Sequence, residues 1–327
     1  MTSDDARAVT AGLRQGAGGA PALAACLLCG AAGPFLQVAS RTRDDPDFGV
    51  VRCAACGMTQ LSPRPDAVAN ADYYHDNRQE IAVEGPITIE TKRQKTEADT
   101  ARRAEDIVAL MPEGSRILDV GCGYGFIVER LSALGFDVRG LEPSRSRAAL
   151  AREVVGVPLL DLAPLQSPPL ELGRFDLVTL FQVLEHILDP VPFLAWLRDL
   201  ISEEGSILIE VPNLDDRMVG AVPSYRDFYW QRAHVGYWTA SLLRRALEAA
   251  GWTVVDTRFV QRYSVLNAAH WALTGTPQLV APSHEVDAEF AWLDTFYRGR
   301  LVEAGETDTL IVRAVRAPES GLRAGRA

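Results

Sequence analysis

The chain has 327 residues, 47% of them hydrophobic and 23% charged, which suits one large or two modest folded domains. Acidic residues outnumber basic ones 43 to 33, and the net charge of −10 sets the surface against phosphate backbones and so against nucleic-acid substrates. No apolar run approaches the ~20 residues that span a bilayer, and the start Met1-Thr2-Ser3-Asp4-Asp5 lacks a basic signal-peptide region, so a cytoplasmic location without membrane contact is expected.

Residues 1–22, rich in Ala and Gly, read as a disordered tail. Two matched pairs of cysteines follow, Cys26-Leu27-Leu28-Cys29-Gly30 and Cys53-Ala54-Ala55-Cys56-Gly57. A C-x-x-C turn points both sulfurs the same way, and the glycine after it tolerates the bend that aims backbone N–H groups at sulfur. Two such turns supply the four thiolates of a tetrahedral structural zinc. Disulfides or uncommitted thiols are the alternatives, although a cytosolic chain rarely keeps disulfides. Between the pairs, Phe35–Val38 and Phe48–Arg52 read as short strands, so residues 23–65 are predicted to form a zinc ribbon whose core is too slight to fold without metal.

Ser62-Pro63-Arg64-Pro65 breaks the chain, and Asp72-Tyr73-Tyr74-His75 is an aromatic patch that suits either a substrate mouth or plain packing. Thr91–Leu110 reads as a helix, stopped by Pro112 and Gly114, so that 66–112 forms a helical linker or substrate cap. An alternating pattern then runs through residues 113–316. Predicted strands are Arg116–Val120, Val138–Glu142, Val157–Leu160, Phe175–Leu180, Ser206–Val211, Trp252–Phe259 and Thr309–Val315. Predicted helices run from Tyr124 to Leu134, from an N-cap at Ser144 to Val154, from Asp189 with Pro190 at its first position through Ile201 to a stop at Gly205, and from Thr239 to Gly251. Residues 265–307 break into short helices or loops that suit a lid, a dimer contact or simple packing, and 317–327 form a second tail. The fold class expected is α/β, a doubly wound, mostly parallel sheet of seven strands.

The first of these strands ends in a glycine bend, Asp119-Val120-Gly121-Cys122-Gly123-Tyr124-Gly125. Glycine lets the backbone take positive φ and approach a ligand closely, and ligands in such sheets lie outside the carboxyl ends of the strands. Twenty-one residues after Gly121, Glu142 ends the second strand, where a carboxylate can accept from both hydroxyls of a ribose. A dinucleotide fingerprint also wants an acid at that distance, but it reads G-x-G-x-x-G where this chain has Phe126 at the sixth position. Cys122, inside the bend, reads as a small buried filler.

The glycine bend with Glu142, then "FDLVTLFQVLEHILDP", "GSILIEVPN" and "HVGYWTASLLRRALEAAGW", resembles the UbiG-like group of class I S-adenosylmethionine (SAM) methyltransferases over residues 90–260. A double cysteine knuckle before such a domain is similar to that of small-molecule and sugar methyltransferases. The resemblance implies that Asp119, Gly121 and Gly123, with Cys122 between them, cradle the amino-acid half of SAM. It also implies that Glu142, with Pro143 beside it, holds the ribose, and that Gln182 faces the cofactor. Asp161, at the end of the third strand, suits the adenine amine or plain solvation.

Methyl transfer to oxygen or carbon of a small metabolite, a natural-product intermediate or a nucleotide-linked sugar is the expected activity. His234, in the aromatic segment 226–238, is the first candidate for general base, at a pKa near neutral. His186 is the second. The same Glu185, His186 and His234 also suit a divalent metal, and Gln182 stands where some RNA-end methyltransferases carry a further Glu. An rRNA methyltransferase and a non-catalytic scaffold remain the alternative functions, and a homodimer is an open expectation.

Overall fold

The computed structural model describes residues 25–66, 70, 73, 88–154, 159–161, 173–278 and 285–318. Strands β1 (Phe35–Ala39), β2 (Gly49–Cys53) and β3 (Thr59–Ser62) form a small antiparallel meander. Helix α1 (Ile89–Leu110) follows, its first turn closed by the Thr88 hydroxyl, which accepts from Thr91 N. The alternating region then gives β4 (Arg116–Val120), α2 (Phe126–Ala133), β5 (Asp137–Glu142), α3 (Arg145–Val154), β6 (Leu159–Asp161), β7 (Phe175–Phe181), α4 (Pro190–Leu197) and β8 (Ile201–Pro212). After these come α5 (Arg217–Ala221), α6 (Pro223–Tyr229), β9 (Gly236–Tyr237), α7 (Ala240–Ala249), β10 (Trp252–Val260), α8 (Val265–Thr274), α9 (Ala291–Ala304) and β11 (Thr309–Arg316).

The main sheet has seven strands in the order β10-β11-β8-β7-β4-β5-β6. β8, β7, β4, β5 and β6 run parallel, and β11 lies antiparallel between β8 and β10. This is the sheet expected, of seven strands and mostly parallel. The parallel strands are buried on both faces, as their near-continuous apolar sequence requires. One core joins α4 and α7 to the sheet through Leu194, Leu197, Leu243, Ala246 and Leu247, all buried. The other face is covered by α1, α2 and α3 through Ile107, Val128, Leu131 and Ala151. Strand order reverses between β4 and β7, which opens the binding crevice between their carboxyl ends. No helix among the described residues is long and apolar enough to cross a membrane.

Two local expectations, on Gly205 and Asp189, need correction. Gly205 does not stop a helix: α4 ends at Leu197, a 3-10 turn follows, and Gly205 lies inside β8. A Cβ there would sit 2.9 Å from Phe175 O and 2.6 Å from Ile201 Cγ2, so close strand approach at an irregularity in the β7–β8 register demands the glycine. Asp189 holds the N-cap position of α4, but its carboxylate pairs with Arg64 Nη2 at 2.5 Å instead of closing the helix. The aromatic segment 226–238 is buried: Trp230, Tyr237 and Trp238 are each at most 3% exposed. Tyr73 packs on the meander, its hydroxyl 3.4 Å from Asp44 Oδ2 and its ring 4.9 Å from the Arg232 guanidinium; Asp72, Tyr74 and His75 lie outside the described residues, as do the tail 1–22 and most of the tail 317–327.

The small sheet is completed from the far side of the sequence. β9 adds antiparallel to β3, with Thr59 opposite Tyr237 and Gln60 opposite Gly236. Cys26, Leu27 and Met58 pack in the same core as Trp238 and Val235. The cysteine-bearing meander and the segment 235–238 are thus one packed unit.

Helix α1 is pinned across the carboxyl edge of the main sheet by charge. Glu210, near the end of β8 and fully buried, accepts from Arg102 Nη2 at 2.7 Å and from Arg103 Nη2. Burial alone pushes the Glu210 carboxyl up, but Arg103, Arg102 and Arg262 outweigh it and hold it at about 2. Asp99 of α1 also faces this cluster and pairs with Arg262 at 3.0 Å. A carboxyl whose folded pKa lies below its unfolded value stabilises the fold above about 4.5, and that contribution is lost as pH falls towards 2. The shift is on the order of 3 kcal/mol at ~1.36 kcal/mol per unit. Denaturant titrations at a series of pH values will therefore show wild-type stability falling steeply between about pH 4.5 and 2, and a much flatter fall in Glu210→Gln. Identical slopes would show that the cluster does not pin α1.

Candidate active site

The glycine bend leaves β4 in three left-handed steps: Gly121, Gly123 and Gly125 have φ of +75°, +58° and +77°. At Gly121 a side chain is excluded sterically, because its Cβ would lie 2.5 Å from Val183 Cγ2. At Gly123 a Cβ would meet nothing within 4 Å, so the backbone there borders open space. Four N–H groups of the bend are already committed. Gly121 N and Cys122 N both donate to Leu141 O, and Gly125 N donates to Cys122 O. Gly123 N donates to Glu142 Oε2 at 2.8 Å, and Ser144 N donates to Glu142 Oε1 at 2.8 Å. The bend therefore offers a ligand close backbone approach rather than a ring of free donors.

Glu142 is 2% exposed, with Arg147 Nε 3.5 Å from Oε1. Pro143 follows it, half-buried. Asp119 is buried one strand over, its Oδ1 accepting from Thr179 Oγ1 at 2.6 Å; burial pushes its carboxyl up to about 7, against the Thr179 hydrogen bond. Cys122 is buried in the core beneath the bend, and burial raises its thiol far above the ordinary range, which suits a filler and not a nucleophile. The side chain of Asp161 lies outside the described residues.

Across the crevice, the loop after β7 opens with Gln182 in a left-handed conformation, φ 59°. Such a conformation costs a non-glycine residue about 1–3 kcal/mol and persists only where its surroundings enforce it. Here Gln182 N donates to Glu210 O at 2.8 Å, and its side-chain amide donates to Glu210 Oε1 at 3.2 Å. The cluster that pins α1 thus also fixes the first residue of this loop.

Glu185, His186 and His234 converge next to it, each offering a ligand atom within 4.8 Å of the others. Glu185 is 1% exposed, and both its carboxylate oxygens are buried without a hydrogen-bond partner. Burial pushes its carboxyl up to about 8. His186 Nδ1 donates to Ala233 O at 2.8 Å, which leaves the lone pair on Nε2, 3.8 Å from Glu185 Oε1. The two imidazoles meet edge-on with centroids 5.1 Å apart. The Gln231 amide donates to His234 Nε2 at 2.8 Å, and Gln231 Oε1 in turn accepts from Arg43 Nη2 at 2.7 Å. The expectation of a near-neutral histidine needs correction: burial lowers His186 to about 4 and drives His234 well below its ordinary value, with His186 and Arg43 adding to the second effect.

The four cysteines of the two pairs also converge, their sulfurs within 4.8 Å of one another and none of them in a disulfide. Cys26 and Cys56 sulfurs are 3.4 Å apart, and Cys29 and Cys53 3.8 Å. Four sulfurs at ~2.3 Å from a central zinc stand ~3.8 Å apart, so the cluster has the dimensions of a tetrahedral site. Each turn closes through its glycine, with Gly30 N donating to Cys26 O and Gly57 N to Cys53 O, both at 2.9 Å. Backbone N–H groups of Leu28 and Cys29 point at the Cys26 sulfur, and those of Ala55 and Cys56 at the Cys53 sulfur. Donors aimed at sulfur stabilise thiolates, so the donor set fits a metal.

The sequence brought out the bend, Glu142, the histidines and the cysteines, but not Arg102, Arg103, Glu210 or Gln231. Glu210 is a single acid in the apolar run Ile207–Val211, and nothing in that run names its partners. Only the packing of α1 across the strand end shows that it is buried.

The family described as a methyltransferase domain matches residues 91–257. Among curated proteins, the chain is 32% identical over 124 residues to a ubiquinone biosynthesis O-methyltransferase of Cereibacter sphaeroides, covering 36% of this chain and 50% of the relative. It is 31% identical over 111 residues to the Bordetella avium protein of the same name, covering 31% and 44%. The chain thus spans about half the length of the curated relatives it matches. Among solved structures, a SAM-dependent methyltransferase of Archaeoglobus fulgidus aligns with TM-score 0.48 and 19% identity, covering 74% of this chain and 99% of that one. Magnesium protoporphyrin IX methyltransferase of Synechocystis aligns with TM-score 0.46 and 16% identity, covering 77% and 100%. With more than half of its residues inside the matched region, the chain belongs to the methyltransferase domain family.

Proposed function

We propose that the protein is a SAM-dependent methyltransferase acting on oxygen or carbon of a small metabolite. The observation that carries this reading is the open backbone at Gly123, held beside β5 by the buried Glu142 carboxylate. Bound SAM supplies an electrophilic methyl group on a sulfonium. The chain's own residues align the acceptor, exclude water and take the acceptor's proton, and alignment accounts for much of the rate in such transfers. Asp119, Gly121, Cys122 and Gly123 line the amino-acid half of the donor, Glu142 and Pro143 the ribose, Asp161 the adenine edge and Gln182 the reacting end.

The proton falls to the histidine pair. His234 gives up its donor from Gln231 before it accepts, whereas His186 already holds its proton on Nδ1 and its lone pair on Nε2. His186 therefore takes precedence over His234 as base, with His234 beside it. A second reading is favoured by the unpartnered Glu185 carboxylate: Glu185, His186 and His234 hold a divalent cation that binds the acceptor oxygen. The four cysteines hold structural zinc, which ties the meander together.

The acidic balance favours small acceptors over RNA. Ubiquinone biosynthesis, the context of the O-methyltransferase relatives, is consistent with such acceptors. Methyl-labelled SAM incubated with cell extract is expected to label the low-mass fraction in the presence of the protein. Label in RNA would support the rRNA alternative instead.

Calorimetry will show one SAM site per chain, weakened at least about tenfold in Glu142→Ala for the loss of ~1.4 kcal/mol or more. No heat with the wild-type chain would leave a scaffold. Metal analysis of the purified chain will find one zinc, lost in Cys53→Ser together with much of the thermal stability. A second equivalent of metal lost only in Glu185→Gln would favour the cation reading, and no metal in the wild type would exclude both sites.

A further inference from the structure

Helices α8 and α9 fill the long connection between β10 and β11, and α9 has two unlike faces. Its inner face is engaged. Asp294 Oδ1 accepts from Val265 N at 2.8 Å, Asp294 Oδ2 pairs with Arg298 Nε at 2.6 Å, and Leu301 is buried. Its outer face carries Trp292 at 65% exposure and Phe296 at 63%, with Phe290 at 54% just before the helix. Single exposed apolar residues need no explanation, but a run of large aromatics on one face does.

Trp292, Phe296 and Arg300 stand at i, i+4 and i+8, so they form one stripe. That stripe complements itself. When two copies of α9 cross antiparallel about Phe296, each Phe296 meets its counterpart, and each Trp292 meets the Arg300 of the other helix. A guanidinium over an indole is a favourable pairing. Gly299 leaves room for close approach, since a Cβ there would meet nothing within 4 Å. Charge selects the same partner. The chain carries a net −10, which opposes self-association through an acidic face, but along this stripe Arg300 and Glu303 balance each other as an exposed pair at 2.8 Å. Exposed pairs of this kind contribute little, so Arg300 is available to the facing ring.

We infer that the outer face of α9 pairs with the same face of a second copy, giving a two-fold dimer with its axis at Phe296. Such a closed, isologous contact leaves the crevice between β4 and β7 to each protomer.

Sedimentation velocity of the full chain over a micromolar concentration series tests this. The wild type is expected to sediment as a dimer and Phe296→Glu as a monomer, with binding of S-adenosylhomocysteine unchanged in the variant. Arg300→Glu is expected to weaken the dimer at least about tenfold. A wild-type monomer at every concentration overturns the inference, as does a dimer that survives Phe296→Glu. A monomer that co-sediments with phosphatidylglycerol vesicles would assign the face to a lipid surface and overturn it equally.

Discussion

One buried carboxylate fixes the geometry on which the rest depends. Glu142 ends β5, yet its two oxygens accept N–H groups from different places, Gly123 in the bend after β4 and Ser144 at the start of α3. Two neighbouring strand ends and a helix start are thereby locked to one group. Hydrogen bonds to a charged acceptor are about twice as strong as neutral ones, and burial protects them from competition by water. The bend can hold three left-handed glycines at alternate positions because Leu141 O, this carboxylate and Cys122 O accept the N–H groups of Gly121, Cys122, Gly123 and Gly125. What remains for a ligand is the space beside Gly123.

The opposite wall of the crevice is held by a longer relay. Leu61 N of β3 donates to Val235 O at 2.9 Å, and Val235 N donates to Glu185 O at 2.7 Å. Arg43 N donates to Trp230 O, and Arg232 N donates to Asp44 Oδ1 at 2.9 Å. The cysteine-bearing meander therefore brackets residues 230–235 from both sides. Glu185, His186 and His234 keep their mutual positions because a sheet nucleated some 180 residues earlier in the chain supports them. On the third side, Arg102 and Arg103 reach from α1 to Glu210, which in turn fixes Gln182. Three distant segments thus converge on one crevice, each through a charged or backbone contact that is sheltered from solvent.

Much of this was legible in the residues. Alternating apolar runs placed β4, β5, β7, β8, β10 and β11 to within a few residues, because buried parallel strands and amphipathic helices leave a periodic trace. The bend, Glu142 and the cysteine pairs were legible because glycine and cysteine carry constraints that few other residues share. Gly205 misled because a glycine after a helical run reads as a stop, whereas in the fold it admits close approach between β7 and β8. β9 has two residues and no periodicity of its own, and only its partner β3 makes it a strand. Composition does not reveal that Trp230, Tyr237 and Trp238 are covered by the meander. The histidines were legible as chemistry but not as pKa values, since burial and the Gln231 contact are tertiary facts.

Hydrogen–deuterium exchange across residues 117–126, with and without S-adenosylhomocysteine, reports on the bend itself. Slower exchange of this segment and of the backbone around Glu142 on addition of the ligand is the predicted result. Saturable binding that leaves both stretches unchanged would place the donor elsewhere and contradict a role for Glu142 and Gly123 in holding it.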